Sequence, residues 1–194
     1  MFCMKCSQFF NKDLLNKYKN EYPDMQYRCP NEFCGFVLIE IDDALKFTIQ
    51  TIYSLNLETM CSCSGHFHNK NSFTSFINFY QDYNYEITDK PHVDINELYK
   101  ICQKISEEEY FKDYIIVEKV LLCGTEHSFW DNNEKELQYY TLRIKTITEK
   151  DCLLDDRIEI QSKFLLFCDK VLNKVWNVIE DMKMNKKELK NENS

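Results

Sequence analysis

Three glycines and three prolines are all that this chain of 194 residues carries. Those two residues punctuate turns and loops, so their scarcity argues against a loop-rich fold and for long regular elements. No run of about 18 apolar residues occurs, and the start lacks the basic stretch and apolar core of a signal peptide, which excludes a transmembrane helix and a secretory leader from the expectation. Positive charge is short as well. With 24 Lys and Arg against 32 Asp and Glu, the net charge of −8 disfavours direct nucleic-acid binding through a general grip on phosphate, and it suits a basic protein surface as partner. The expectation is a soluble, cytoplasmic protein. In that reducing compartment the ten cysteines make poor candidates for a disulfide framework, and those at motif spacing read as metal ligands.

What is present is apolar and aromatic material. Hydrophobic residues make up 44% and aromatics 14%, enough buried surface to offset the ordering entropy of the chain and to exclude general disorder. The length fits one sizeable core with a small appended module. The fold class expected is α+β, with a zinc-ribbon-like module over 1–35, a mixed α/β sheet domain with a long C-terminal helix over 36–187, and a frayed tail over 188–194.

The N-terminal module rests on Cys3-Met4-Lys5-Cys6 and Cys29-Pro30-Asn31-Glu32-Phe33-Cys34-Gly35, a C-x2-C pair and a C-x4-C pair with 22 residues between them. Four thiolates at such spacings suit a tetrahedral Zn2+ held by two knuckles, and Gly35 lets the chain turn with its N–H groups aimed at sulfur. In the alternative reading Cys3 and Cys6 lie in a loose terminus while Cys29 and Cys34 are small buried apolar residues. A closed four-sulfur site would fasten a module too small to fold on its own core, with no open position for substrate. The insert from Ser7 to Tyr22 reads as a short helix with Ser7 as N-cap and Phe10, Leu14 and Tyr18 on one face.

Phe36 to Ile41 reads as a central strand, Asp42 as the N-cap of a helix over 43–55 with Asn56 as its stop, and Thr59 to Cys63 as a second strand, which together make a β-α-β unit. A third strand is expected over 72–80. Asp94 and Glu97 form a capping box for a helix over 94–106 with Ile95, Leu98, Ile101, Cys102 and Ile105 on one face. Strands over 114–123 and 136–148 would form a hairpin. The last helix, from about Asp155 to Lys187, carries Leu154, Ile158, Gln161, Leu165, Cys168, Leu172, Val175, Ile179 and Met182 in alternating steps of four and three, widened by Phe164, Phe167, Val171 and Trp176. That width favours packing lengthwise on the sheet, while a homodimer or partner contact through the C-terminal helix is the other reading.

The densest chemistry falls at Cys61-Ser62-Cys63-Ser64-Gly65-His66-Phe67-His68, which takes two of the ten cysteines and two of the four histidines. Three readings stand side by side. Cys61, Cys63, His66 and His68 could ligate a second metal, although C-x-C lacks the usual knuckle gap. Alternatively, Ser64, Gly65 and His66 could form a backbone nest for a phosphate or other anion, with Ser62 and Ser64 adding hydroxyl donors. In the third reading Cys61 and Cys63 are small apolar residues of a buried strand whose end His66 caps. His127, near Cys123 and Gly124 at another strand end, could reach the same pocket.

Two resemblances attach to these motifs. Cys29 to Phe79, with Cys-Pro-x-x-x-Cys-Gly and then Glu-Thr-Met-Cys-Ser-Cys-Ser-Gly-His, resembles small zinc-ribbon proteins encoded by bacteriophages of low-GC bacteria. The Ser-Cys-Ser-Gly piece is similar, more distantly, to the Ser-Cys-Ser-Gly-Arg motif of the tRNA wybutosine-synthesising methyltransferase family, with His66 in place of the arginine. The first resemblance implies a phage accessory protein. Together with the acidic balance it points to a non-enzymatic binding protein whose partner is a host protein, such as a nuclease of a defence system. The alternative expectation is an RNA- or nucleotide-modifying enzyme that uses Ser64-Gly65-His66 as its phosphate or substrate site.

Overall fold

The structure is a computed structural model that describes residues 1–3, 5–11, 15, 27–31, 34, 38–65, 73–82, 92–127, 134–147 and 154–192, with backbone alone considered at 60, 61, 81, 82, 120–127, 134–140, 154 and 187–192. Strands β1 (Phe2–Cys3) and β2 (Gln8–Phe9) form a small antiparallel pair. A 3-10 turn at Asp43–Leu45 leads into α1 (Lys46–Ser54), followed by β3 (Glu58–Cys63), β4 (Phe76–Asp82), α2 (Ile95–Ser106), β5 (Ile115–His127), β6 (Glu134–Thr146) and α3 (Leu154–Glu192). The four longer strands make one sheet in the order β3-β4-β6-β5, antiparallel throughout. The chain is thus α+β with a sheet domain and a long C-terminal helix.

The expected β-α-β unit does not form. Phe36 and Val37 lie outside the described residues, and the described segment that follows takes no place in the four-stranded sheet. Ile39 instead exchanges two backbone hydrogen bonds with Phe2, at 2.8 and 3.0 Å, while the N–H of Leu38 donates to the carbonyl of Tyr27 at 2.8 Å. The run is apolar because its side chains divide between two clusters: Leu38 is buried beside the cysteines, and Ile39 and Ile41 pack on the main core. An apolar, β-branched run carries the same signature whether it enters a sheet or is caught between two clusters.

Local signals placed the helices well. At α2 the Asp94 carboxylate accepts the N–H groups of Asn96 and Glu97, both at 2.8 Å, and the five expected apolar residues are all buried. The end of α1 is a Schellman motif: Leu57 N–H donates to the carbonyl of Ile52 at 3.1 Å, Asn56 N–H to that of Tyr53 at 3.2 Å, and Asn56 takes φ 57°. Ser7, by contrast, caps no helix. It takes φ 52° in the turn between β1 and β2, and the only described residue of the expected helix that is helical is Leu15.

β5 and β6 pair from Ile115↔Thr146 to His127↔Glu134, whereas β4 pairs with β6 only as far as Asp82↔Tyr139. Among the described residues the hairpin therefore runs on past the body of the sheet as two strands. One sheet face contributes Ile77, Phe79, Leu142, Ile144 and Ile115 to the main core, against which the helices lay Leu45, Ile49, Ile52, Leu98, Cys102, Phe164, Phe167 and Val171. On the other face Arg143 Nε donates to Asn78 Oδ1 at 2.9 Å and Lys145 pairs with Glu118 at 2.8 Å, so this face mixes polar pairs with apolar residues such as Phe76 and Ile116.

The buried stripe of α3 keeps the expected Cys168, Leu172, Val175 and Ile179, widened as expected by Phe164, Phe167 and Val171, but departs from the expected set at Ile158 and at Trp176, which is exposed. Ile160, Phe164, Phe167, Cys168, Val171, Leu172, Val175 and Ile179 face the core, while Ile158 is 50% exposed. Phe167 meets Phe111 edge-on at 5.4 Å. The helix continues to Glu192, through most of the segment expected to fray. Near its start Lys163 sits 3.3 Å from the centre of the Tyr114 ring and 3.0 Å from Glu159, which fastens the helix to the entry of β5. Among the described residues no helix is long and apolar enough to cross a membrane.

Candidate metal centre

The sharp turn at Ser7 reverses the chain directly after Cys6, so that β1 and β2 pair as Phe2↔Phe9 and Cys3↔Gln8 and the two sulfurs of the C-x2-C segment sit on one side of a knuckle. A turn closed by the N–H of Cys34 donating to the carbonyl of Asn31 at 3.0 Å shapes the second pair. Asn31 Nδ2 donates to Gln8 Oε1 at 2.9 Å and ties the two knuckles together. Leu15 and Leu38 are buried beside Cys3 and Cys29, with Met1, Phe10 and Tyr27 packed around them. Gly35 lies outside the described residues.

The outcome is convergence. The Sγ atoms of Cys3, Cys6, Cys29 and Cys34 all lie within 4.8 Å of one another, with Cys6–Cys34 at 3.3 Å, Cys3–Cys34 at 3.7 Å and Cys6–Cys29 at 3.8 Å. A metal with bonds of about 2.3 Å to four tetrahedral sulfurs separates them by about 3.8 Å, so the cluster is the right size to hold one. These distances are far beyond a sulfur–sulfur bond, and all four cysteines are free thiols. The set fits a metal by chemistry as well as by size, since four soft donors close every tetrahedral position. Burial pushes the Cys29 thiol up to about 12 and raises that of Cys3, with neighbouring thiols adding to the effect. A metal bound by thiolates displaces protons on binding.

The turn after β3 has a different content. Ser64 donates its N–H to Asp42 Oδ2 at 2.8 Å and its hydroxyl to the same oxygen at 3.2 Å. Asp42, expected to cap the following helix, makes no side-chain cap bond there. The nest thus receives a carboxylate belonging to the chain itself, and Ser64 in this structure offers neither donor to an external anion. The Ser64 carbonyl accepts the Ser75 hydroxyl and the Gln161 amide, each at 2.7 Å, and Ser75 N–H donates to Thr146 Oγ1 at 3.0 Å. Four segments meet at one serine: the entry to α1, the approach to β4, the end of β6 through Ser75, and α3.

Gly65 takes φ 97°, and a Cβ placed on it would lie 2.4 Å from the Phe73 ring. Its N–H donates to Cys63 Sγ at 3.4 Å, and burial raises the thiol of Cys63, which is buried. The side chain of Cys61 and the whole of His66 and His68 lie outside the described residues, so the second-metal set is represented only by Cys63. His127 does not share this neighbourhood. Cys63, Phe76, Lys145 and Ile116 lie in one cross-strand row, and His127 lies eleven residues further along β5, about 36 Å away at strand rise.

Sequence reasoning placed Ser7 as a helix cap and Gln161 in a helical seam, and it gave Ser75 and Thr146 no role. Gln161 alone had left a signal, as the one polar residue in an otherwise apolar helical seam. Comparison with protein-family models, with curated proteins and with solved structures finds no match to this chain, so the four-sulfur cluster stands on its own geometry.

Proposed function

We propose that the chain is a non-catalytic binding protein in which Zn2+, held by Cys3, Cys6, Cys29 and Cys34, acts as a structural clasp. The observation that carries this reading is the convergence of four sulfurs from two knuckles within 4.8 Å. Zinc suits the donor set because it accepts four thiolates without geometric preference from d-electrons, and full ligation leaves it no vacancy for water or substrate. The knuckles are joined to the main body through Phe2 and Ile39, so the clasp stiffens one end of a preformed surface. The net charge of −8 would complement a basic groove, as in host enzymes that process nucleic acid, and the resemblance to phage zinc-ribbon proteins suggests a defence nuclease as the target class.

The enzyme alternative draws no support from the Ser64-Gly65 turn, whose described donors are directed at Asp42 and Cys63. Two measurements test the proposal. Elemental analysis of purified protein should give one zinc per chain, and iron or no metal would overturn the clasp. Pull-down from host extract followed by activity assay should find a nucleic-acid-processing enzyme that the protein inhibits; absence of any such inhibition would overturn the binding role.

A further inference from the structure

The four thiols are unequal in access and spacing. Cys3 and Cys29 are buried, whereas Cys6 and Cys34 are partly exposed, and these two accessible sulfurs are also the closest pair among the measured ones, at 3.3 Å against 3.7 and 3.8 Å. They belong to different knuckles. We propose that Cys6 and Cys34 form a site of oxidation by hydroperoxides, at which a disulfide between the knuckles replaces the metal as the fastening of the module.

This inference rests on the four-sulfur clasp proposed above and concerns how that clasp would be regulated. The chemistry balances as follows. One thiolate of the pair attacks a peroxide oxygen of H2O2, giving a sulfenic acid and releasing hydroxide; the other thiolate then attacks that sulfur, forming the S–S bond and expelling a second hydroxide. Two thiolates lose two electrons in total, and one peroxide is reduced to two hydroxide ions. The metal keeps only Cys3 and Cys29 and leaves. Proximity decides the partner, because closing 3.3 Å to the roughly 2.05 Å of a disulfide asks for a movement of about 1.2 Å. A link within a knuckle, Cys3 to Cys6 or Cys29 to Cys34, would leave the two knuckles with hydrogen bonds such as Asn31–Gln8 and no covalent tie once the metal had gone. The cross-link between Cys6 and Cys34 instead spans the gap that the metal spans and ties the same two segments.

The test uses the full-length chain. Metal content is measured first, which judges the zinc reading by itself. One equivalent of H2O2 is then added, and released metal, remaining thiols and disulfide-linked peptides are followed together. The expected result is loss of one metal and two thiols per chain, a Cys6–Cys34 peptide as the first disulfide, reversal by dithiothreitol with added zinc, and a higher melting temperature than reduced, chelated protein. Should the protein as purified hold no metal, the same peptide map still decides the pairing. A first disulfide within either knuckle, or over-oxidation of Cys6 without any cross-link, would overturn the proposal.

Discussion

At the scale of single residues, Gly65 is the position where backbone and packing leave least room. A side chain there would carry the strain of φ 97° and push into the Phe73 ring, 2.4 Å from an added Cβ. Gly65→Ala should lose about 2–4 kcal/mol, read as a lower denaturation midpoint in urea, since the positive φ and the overpacking each cost on the order of 1–3 kcal/mol. A midpoint equal to that of the wild type would mean that the turn is free to open. The neighbouring serine was legible as a site and illegible in kind. A run of Cys, Ser, Gly and His looks the same whether its donors await a ligand or are met by a carboxylate from 22 positions earlier in the chain. Nothing local in the sequence distinguishes Asp42 as a cap from Asp42 as a counterpart to Ser64, because both roles ask for an acidic side chain before a helix.

At the scale of elements, periodicity gave the helices and the hairpin because their patterns are set within each segment. The capping aspartate of α2 and the turn-forming Asn56 after α1 act on their own neighbours, and both stand where local rules put them. The segment 36–41 failed for the opposite reason: its partner is Phe2, at the far side of the cysteine module, and pairing over that distance leaves no local trace. The buried stripe of α3 was legible from Phe164 to Ile179 and misread at Ile158 and Trp176, which an apolar pattern alone cannot tell from buried positions. Phe164→Ala, at the centre of that stripe, should cost about 3–5 kcal/mol, whereas Ile158→Ala, on the old seam and half exposed, should stay within about 0.5 kcal/mol. Equal losses in chemical denaturation would put Ile158 in the packed face with Phe164.

For the whole molecule, the decisive detail is that adjacent residues of β1 belong to different interiors. Phe2 lies in the main core, with its ring 4.7 Å from Phe9 and 5.5 Å from Tyr53, while Cys3 belongs to the sulfur cluster. If the four sulfurs hold a metal as proposed, two side chains on opposite sides of one strand would link the stability of the body to its binding. Because linkage is reciprocal, Phe2→Ala should weaken metal retention in a chelator competition as well as lower the melting temperature, and chelation of the wild type should lower that temperature in turn. A variant with reduced stability and unchanged chelator resistance would show the two interiors to be independent.

The overhanging hairpin carries a last consequence. Past Tyr139 the two strands have, among the described residues, no third strand beside β6, so their ladder resembles the unsupported end of a zip fastener. Backbone amides of Cys123–His127 should therefore trade hydrogen for deuterium sooner than those of Ile115–Lys119, because breaking a lone ribbon disturbs few neighbours. Uniform protection along β5 would mean that the whole ribbon opens only together with the sheet.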